Sequence, residues 1–156
     1  MGDFVKSISR PAPYELQAEH YPFVTEVSPR FGDLDLNTHV NNVAVAGLFE
    51  EGRLKFALHY RKTPFKGLVE GEEKALVVSS LINYLSEVYY PDPVNIHAGI
   101  VDVGRSSFTQ TCLMTQNGQP VAYSKVTLVR VENGQSKALS DTLRQSLSEL
   151  IITWPE

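Results

Sequence analysis

Between Tyr21 and Phe31 apolar and polar positions alternate, with Phe23, Thr25 and Val27 on one side and Val24 and Glu26 on the other. This predicts a first strand, ended by Pro29 and Gly32. From Asn42 the period lengthens: Val45, Leu48, Phe49, Gly52, Phe56, His59 and Tyr60 fall on one stripe, with Glu50, Glu51 and Arg53 off its centre. The spacing predicts a helix of about 18 residues over Val43–Tyr60. Val43, Leu54 and Leu58 on its flanks imply contact on more than one side, as when a sheet wraps a helix. Thr63-Pro64 ends this helix, and the glycine- and acid-rich Phe65–Lys74 reads as a connecting loop.

From Ala75 to Glu132 the chain reads as strand. Ala75–Leu85 is an apolar run rich in Val, Leu and Ile, and Val94–Val103 sets Val94, Ile96, Ala98 and Ile100 against Asn95 and His97. Ser106–Thr115 and Pro120–Val131 follow, the latter with Val121, Tyr123, Thr127, Val129 and Val131 on one face. Gly104-Arg105 and Asn117-Gly118 are tight enough to force antiparallel hairpins, so the last three strands form a meander. Tyr89-Tyr90-Pro91-Asp92-Pro93 breaks pairing and predicts a bulge or crossover at the sheet rim. Ser140 is placed to cap a short amphipathic helix carrying Leu143, Leu147, Leu150 and Ile151. The order of elements makes a single α+β domain over residues 21–156, after an N-terminal arm at residues 1–20. One central helix cannot cover both faces of such a sheet, so a free face or edge is expected to meet a second protomer.

Composition narrows the partners. With 42% apolar and 21% charged residues in 156, the chain is long enough to bury a core. No apolar run approaches the roughly 20 residues that cross a bilayer. The N-terminal stretch lacks the apolar centre of a secretory leader, which points to the cytoplasm and to a partly disordered arm. A net charge of -4 without a Lys/Arg stripe argues against nucleic acid. Cys112 stands alone in a strand-like stretch, which excludes an intrachain disulfide and a Cys-based zinc cluster; it is expected to be a buried structural thiol. His59 and His97 read as structural histidines and His20 as a surface one.

Asp33, Asp35, Asn37, His39, Asn41 and Asn42 crowd into ten positions where the long helix begins. A cap and a turn account for one or two such residues, and Asp33, Asn41 and Asn42 suit those roles. The remainder exceeds what a turn needs. Metal binding by Asp33, Asp35 and His39 is disfavoured because no second His or Cys group stands at ligand spacing, and no metal or redox cofactor is expected. The first N–H groups of a helix lack intrahelical partners and sit at the positive end of its dipole. The backbone N–H groups of Val40, Asn41 and Asn42 are therefore candidate donors to a developing oxyanion, each worth about 3 kcal/mol in a transition state. Asp35 would activate a water or attack a carbonyl, with Asn37 and His39 orienting the participants.

Asp35-Leu36-Asn37-Thr38-His39-Val40-Asn41-Asn42, following a strand and entering a long helix, resembles the signature of the hot-dog-fold acyl thioesterases. These comprise the 4-hydroxybenzoyl-CoA thioesterase-like family and the plant acyl-carrier-protein thioesterases. The resemblance spans about Pro22 to Val131 and implies an antiparallel sheet wrapped around one central helix. It also implies hydrolysis of an acyl thioester of coenzyme A or a carrier protein, in a homodimer or homotetramer. It makes Asp35 the catalytic carboxylate, joins Asn37 and His39 to it, and adds Glu87 from Asn83-Tyr84-Leu85-Ser86-Glu87. The plant enzymes carry a Cys after that Glu, where this chain has Val88, so no thiol nucleophile is available there. The helix-Glu branch of the superfamily is not matched, which leaves Glu50 and Glu51 as surface residues. Hydratases of this fold lack the turn. Gly104-Arg105-Ser106-Ser107 resembles the hairpin from which many such enzymes contact the phosphates of coenzyme A, making Arg105 and Ser106 candidate contacts. Tyr89 and Tyr90 would line a channel or simply pack at the rim. A non-catalytic acyl-CoA or acyl-carrier-protein binding protein is the alternative, although it would have no use for Asp35, Asn37 and His39 together.

Overall fold

The period-2 strands and the period-3.6 helix each bury one apolar side, and the chain satisfies them against one another. The computed structural model describes residues 10–156. In chain order it runs β1 (Phe23–Val27), α1 (Asn42–Arg61), α2 (Phe65–Glu70), β2 (Ala75–Tyr84), β3 (Val94–Val103), β4 (Ser107–Gln116), β5 (Gln119–Glu132), β6 (Gln135–Ser136) and α3 (Asp141–Ser148). The sheet order is β1-β3-β4-β5-β2, with β6 added to β5, and each of these neighbouring pairs is antiparallel. The 85–93 segment is the expected crossover: it carries the chain from β2 at one edge back to β3 beside β1. The meander of β3, β4 and β5 then returns to β2. Its second turn has Asn117 and Gly118 at φ 52° and 78°, the double left-handed geometry that an Asn-Gly hairpin supplies cheaply.

α1 lies on one face of this sheet. Val45, Leu48, Phe49, Gly52, Phe56 and Tyr60 of the predicted stripe are buried against Val94, Ile96, Ala98 and Ile100 of β3 and Phe108, Cys112 and Met114 of β4. His59 departs from the stripe: it is exposed, with its ring 5.0 Å from that of Phe23. Cys112 is buried, and desolvation pushes its thiol up to about 12.

Apart from shifts of one or two residues, four boundaries differ from the sequence expectation. One is the last helix, which ends at Ser148 and leaves out Leu150 and Ile151, the latter instead bridging Ile100 of β3 in parallel. The first strand is only Phe23–Val27, because the chain leaves the sheet at Ser28-Pro29 and Phe31–Asp33 forms a 3-10 turn. The expected loop at Phe65–Lys74 begins with α2: Pro64 sets an extended entry and Gly71 ends it, so the residues that read as loop signals bracket a short helix. The arm is folded back from Ala12 onward. Its 3-10 turns Pro13–Leu16 and Ala18–His20 dock near β5, where Tyr123 Oη donates to Glu15 Oε1 at 2.8 Å and Tyr21 Oη to the Glu15 carbonyl at 2.6 Å. Residues 1–9, which carry the rest of the expected disorder, lie outside the described residues.

β2 is different in kind from the inner strands. Leu76, Val77, Val78, Leu81 and Tyr84, together with Leu85 just beyond, each expose between 37% and 60% of their area, and the strand's outer edge has no neighbour among the described residues.

Gly52 fixes how closely α1 approaches the sheet. A Cβ there would lie 2.7 Å from Ile96 Cγ2 and 2.8 Å from Ile96 Cβ, and an atom so near the backbone cannot swing away. Gly52→Ala is expected to cost about 1–3 kcal/mol through overpacking, outweighing the roughly 1 kcal/mol gained in helix propensity. A lower urea midpoint at unchanged m-value is the outcome that checks it.

Candidate functional site

The turn at the entrance to α1 is built by its own polar side chains. Asp33 is buried, and its carboxylate accepts from the Arg30 N–H at 2.8 Å and from Arg30 Nη2 at 3.2 Å. Its carbonyl accepts from the Asn41 N–H and from Asn41 Nδ2, both at 2.9 Å. Asn41 also caps α1, accepting from the Ala44 N–H at 2.8 Å. These two residues hold structure, as their cap and turn chemistry predicts.

Between them the loop closes through a Leu34–Val40 bridge and an Asp35 N–H to His39 C=O bond of 2.9 Å. Thr38 sits at φ 64°, a conformation a β-branched residue adopts only when its surroundings enforce it. Asp35 Oδ1 accepts from the N–H of Asn37 at 2.8 Å and of His39 at 3.3 Å. Its Oδ2 has no hydrogen bond among the described residues.

Glu87 reaches this turn from the crossover. The Val40 N–H donates to the Val88 carbonyl at 2.9 Å, and this brings Glu87 Oε2 to 3.2 Å from His39 Nε2. Asp35, Asn37, His39, Asn42 and Glu87 then line one cleft of about 360 Å³, with Tyr84 and Val45 among its walls. Tyr84 Oη reaches the Asn42 carbonyl at 3.3 Å.

The oxyanion expectation needs revision. The N–H groups of Val40 and Asn41 are spent on Val88 and Asp33, because the same backbone closes the turn and ties it to the crossover. Asn42 is the one candidate of the three whose N–H stays unpaired among the described residues, and the Val43 N–H beside it is also unpaired. Arg105 and Ser106 are not brought to the cleft. They lie in the β3–β4 turn, at the opposite end of the ten-residue β4 from Gln116, roughly 30 Å along the strand. Glu50 and Glu51 are exposed on α1. His97 bonds Thr115 Oγ1 at 3.0 Å, and burial lowers its pKa. His20 Nδ1 bonds the Tyr14 carbonyl. No group of three or more His, Cys, Asp or Glu among the described residues is placed to hold a metal ion, and no described helix is long and apolar enough to cross a membrane.

An antiparallel sheet curled around one helix, with a short C-terminal helix, defines a hot-dog-fold protein. Residues 29–147 match the thioesterase-like superfamily, and the chain belongs to it. It is 30% identical over 132 residues to the uncharacterised protein YsmA of Bacillus subtilis, covering 83% of this chain and 86% of that one. Among solved structures it is similar to a thioesterase of Thermus thermophilus complexed with coenzyme A and Zn, at 30% identity and TM-score 0.73 over 85% of this chain and 96% of that one. It is also similar to the PA5185 protein of Pseudomonas aeruginosa, at 26% identity and TM-score 0.78 over 88% and 97%.

Asn41 supports both the cap and the Asp33 carbonyl, so Asn41→Ala is expected to cost about 1–2 kcal/mol. Asn41→Asp, which keeps the capping acceptor and loses the amide donor, should cost less. Equilibrium unfolding of the two variants checks this order.

Proposed function

We propose that this protein hydrolyses acyl thioesters, with coenzyme A as the thiol carrier. The observation that carries the reading is the convergence of Asp35, His39 and Glu87 on one cleft at the N-terminus of α1. Asp35, with Oδ1 held by two N–H groups and Oδ2 open, acts as general base on a water or as nucleophile on the thioester carbon. The carbonyl oxygen gains charge beside the free N–H groups of Asn42 and Val43, at the positive end of the helix dipole. Asn37 and His39 position water and substrate, and Glu87 assists the water. With water as the nucleophile, collapse of the tetrahedral intermediate breaks the C–S bond, the proton taken from water passes to the sulfur, and the acid and the thiol leave. With Asp35 as the nucleophile the same collapse leaves an acyl anhydride on Asp35, which water then hydrolyses to the acid. Membership of the thioesterase-like superfamily and a relative solved with coenzyme A support this reading.

The acting unit is at least a dimer. A ten-residue edge strand with an exposed apolar run invites pairing with another strand, and a two-fold pairing of β2 with the β2 of a second copy satisfies both edges at once. Antiparallel pairing sets the start of the partner's β2 beside the end of this one, where the cleft opens. The β3–β4 turn lies at that same end of the sheet as the start of β2, since Ser107 and Ala75 flank neighbouring positions of β5, Val129 and Arg130. Arg105 and Ser106 of one copy then serve the phosphates of coenzyme A bound to the other, Arg being suited to that contact.

Release of thiol from hexanoyl-, decanoyl- and benzoyl-coenzyme A tests the chemistry. Asp35→Asn is expected to lower turnover about 100-fold or more with the thermal midpoint unchanged. Turnover that survives the substitution would remove Asp35 from the mechanism, and binding without turnover in the wild type would favour an acyl-CoA or acyl-carrier-protein binding protein. Light scattering tests the assembly: Val78→Lys, at an exposed position of β2, is expected to turn a dimer into a monomer without loss of folded structure.

A further inference from the structure

Glu87 is an exposed carboxylate on a flexible side chain, yet one of its oxygens is fixed from two directions. Oε2 lies 3.2 Å from His39 Nε2 and accepts from Tyr89 Oη at 3.0 Å, which leaves Oε1 without a partner among the described residues. The Tyr89 ring also stands edge-on to the His39 ring, 5.2 Å between centroids at 85°. One side chain thus touches both members of the His39–Glu87 pair.

The backbone of Tyr89 is itself clamped. Gln116, buried at the end of β4, accepts from the Tyr89 N–H at 2.9 Å and donates from Nε2 to the carbonyls of Tyr89 at 2.8 Å and Asp92 at 2.9 Å. Val88, the residue between, is 2% exposed. The segment is anchored on its inner side by Val88 and Gln116, so the phenol is held at the cleft rim by the rigid end of the meander. The hydrogen bond to the Glu87 carboxylate raises the phenol's pKa above its ordinary value, in keeping with a phenol that donates.

We infer that Tyr89 is a positioning residue, holding Glu87 and His39 in the one mutual orientation that turns Glu87 Oε1 toward the water to be activated. The inference rests on the thioesterase reading, and its effect on hydrolysis runs through Glu87. Holding a long side chain in one rotamer removes an orientational cost from the reaction step. Tyr89 makes that contribution without touching the reacting atoms.

A double-mutant cycle on hydrolysis of whichever of the three acyl-coenzyme A probes the wild type turns over tests it. Tyr89→Phe is expected to lower kcat about tenfold, the size of one lost hydrogen bond to a charged acceptor, with KM within about twofold. In the Glu87→Gln background the same change is expected to alter kcat less than about twofold, because the group it acts through is gone. A tenfold loss in both backgrounds, or none in the wild type, would overturn the inference. A second measurement is independent of turnover: the His39 ring resonances in a 15N-imidazole NMR spectrum are expected to move in Tyr89→Phe, and unchanged resonances would also overturn it. A wild type inert on all three probes, with His39 resonances that do respond, would fault the thioesterase reading and leave the contact itself standing.

Discussion

The site depends on one backbone hydrogen bond, from the N–H of Val40 to the carbonyl of Val88. Val40 closes the Asp35–His39 turn, and Val88 lies in the crossover between β2 and β3, far along the chain. Both side chains are buried, so the bond is shielded from water and anchored in the core. Without it the turn would still form, since its Asp–Asn–His contacts are local, but Glu87 would have no fixed relation to His39. The bond also has a cost. It consumes one N–H at the helix entrance and, with the Asn41 N–H bonded to the Asp33 carbonyl, leaves those of Asn42 and Val43 as the unpaired donors among the described residues.

Around that bond the fold divides its labour. Close approach of α1 to β3 at Gly52 sets the depth of the core and therefore the height at which the N-terminus of α1 emerges. The meander sets the other side, because Gln116 at the end of β4 grips the backbone of residues 89–92. The cleft lies where these two rigid parts meet. In the segment between them Thr38, a β-branched residue, is held at positive φ by a turn closed on both sides.

What could be read from the sequence was what local chemistry decides. The turn, its cap at Asn41, the stripe on α1, the Asn117-Gly118 hairpin and the Ser140 cap, which accepts from the Leu143 N–H at 3.1 Å, all follow from residues close in the chain. Asp33 and Asn41 could be assigned to structure for the same reason. The pairing of β2 with β5, not with β3, is invisible in periodicity, because an edge strand and an inner strand alternate alike. That Val40 and Asn41 have no N–H to spare follows from a tertiary bond and a bridge, which no local pattern announces. Glu87 came only through resemblance. Gln116 and Tyr89 each carried a signal, a glutamine beside the Asn117-Gly118 hairpin and an aromatic close to a candidate acid, but neither distinguishes a clamp from ordinary packing.

Exposure is what ties the proposed chemistry to the free edge. Asp35 and Glu87 are both exposed in the single chain, and charges in water attract or polarise one another several-fold less than they do once water is excluded. On the proposed chemistry, a protomer by itself would therefore orient these carboxylates well and exploit them poorly. The apolar side chains of β2 end at Tyr84 and Leu85, which are also walls of the cleft. Covering that strand with a second copy would bury apolar surface and dry the mouth of the cleft in one step. On this reading the unusual exposure of β2 and the weak electrostatics of the lone site are a single deficiency, and one contact removes both.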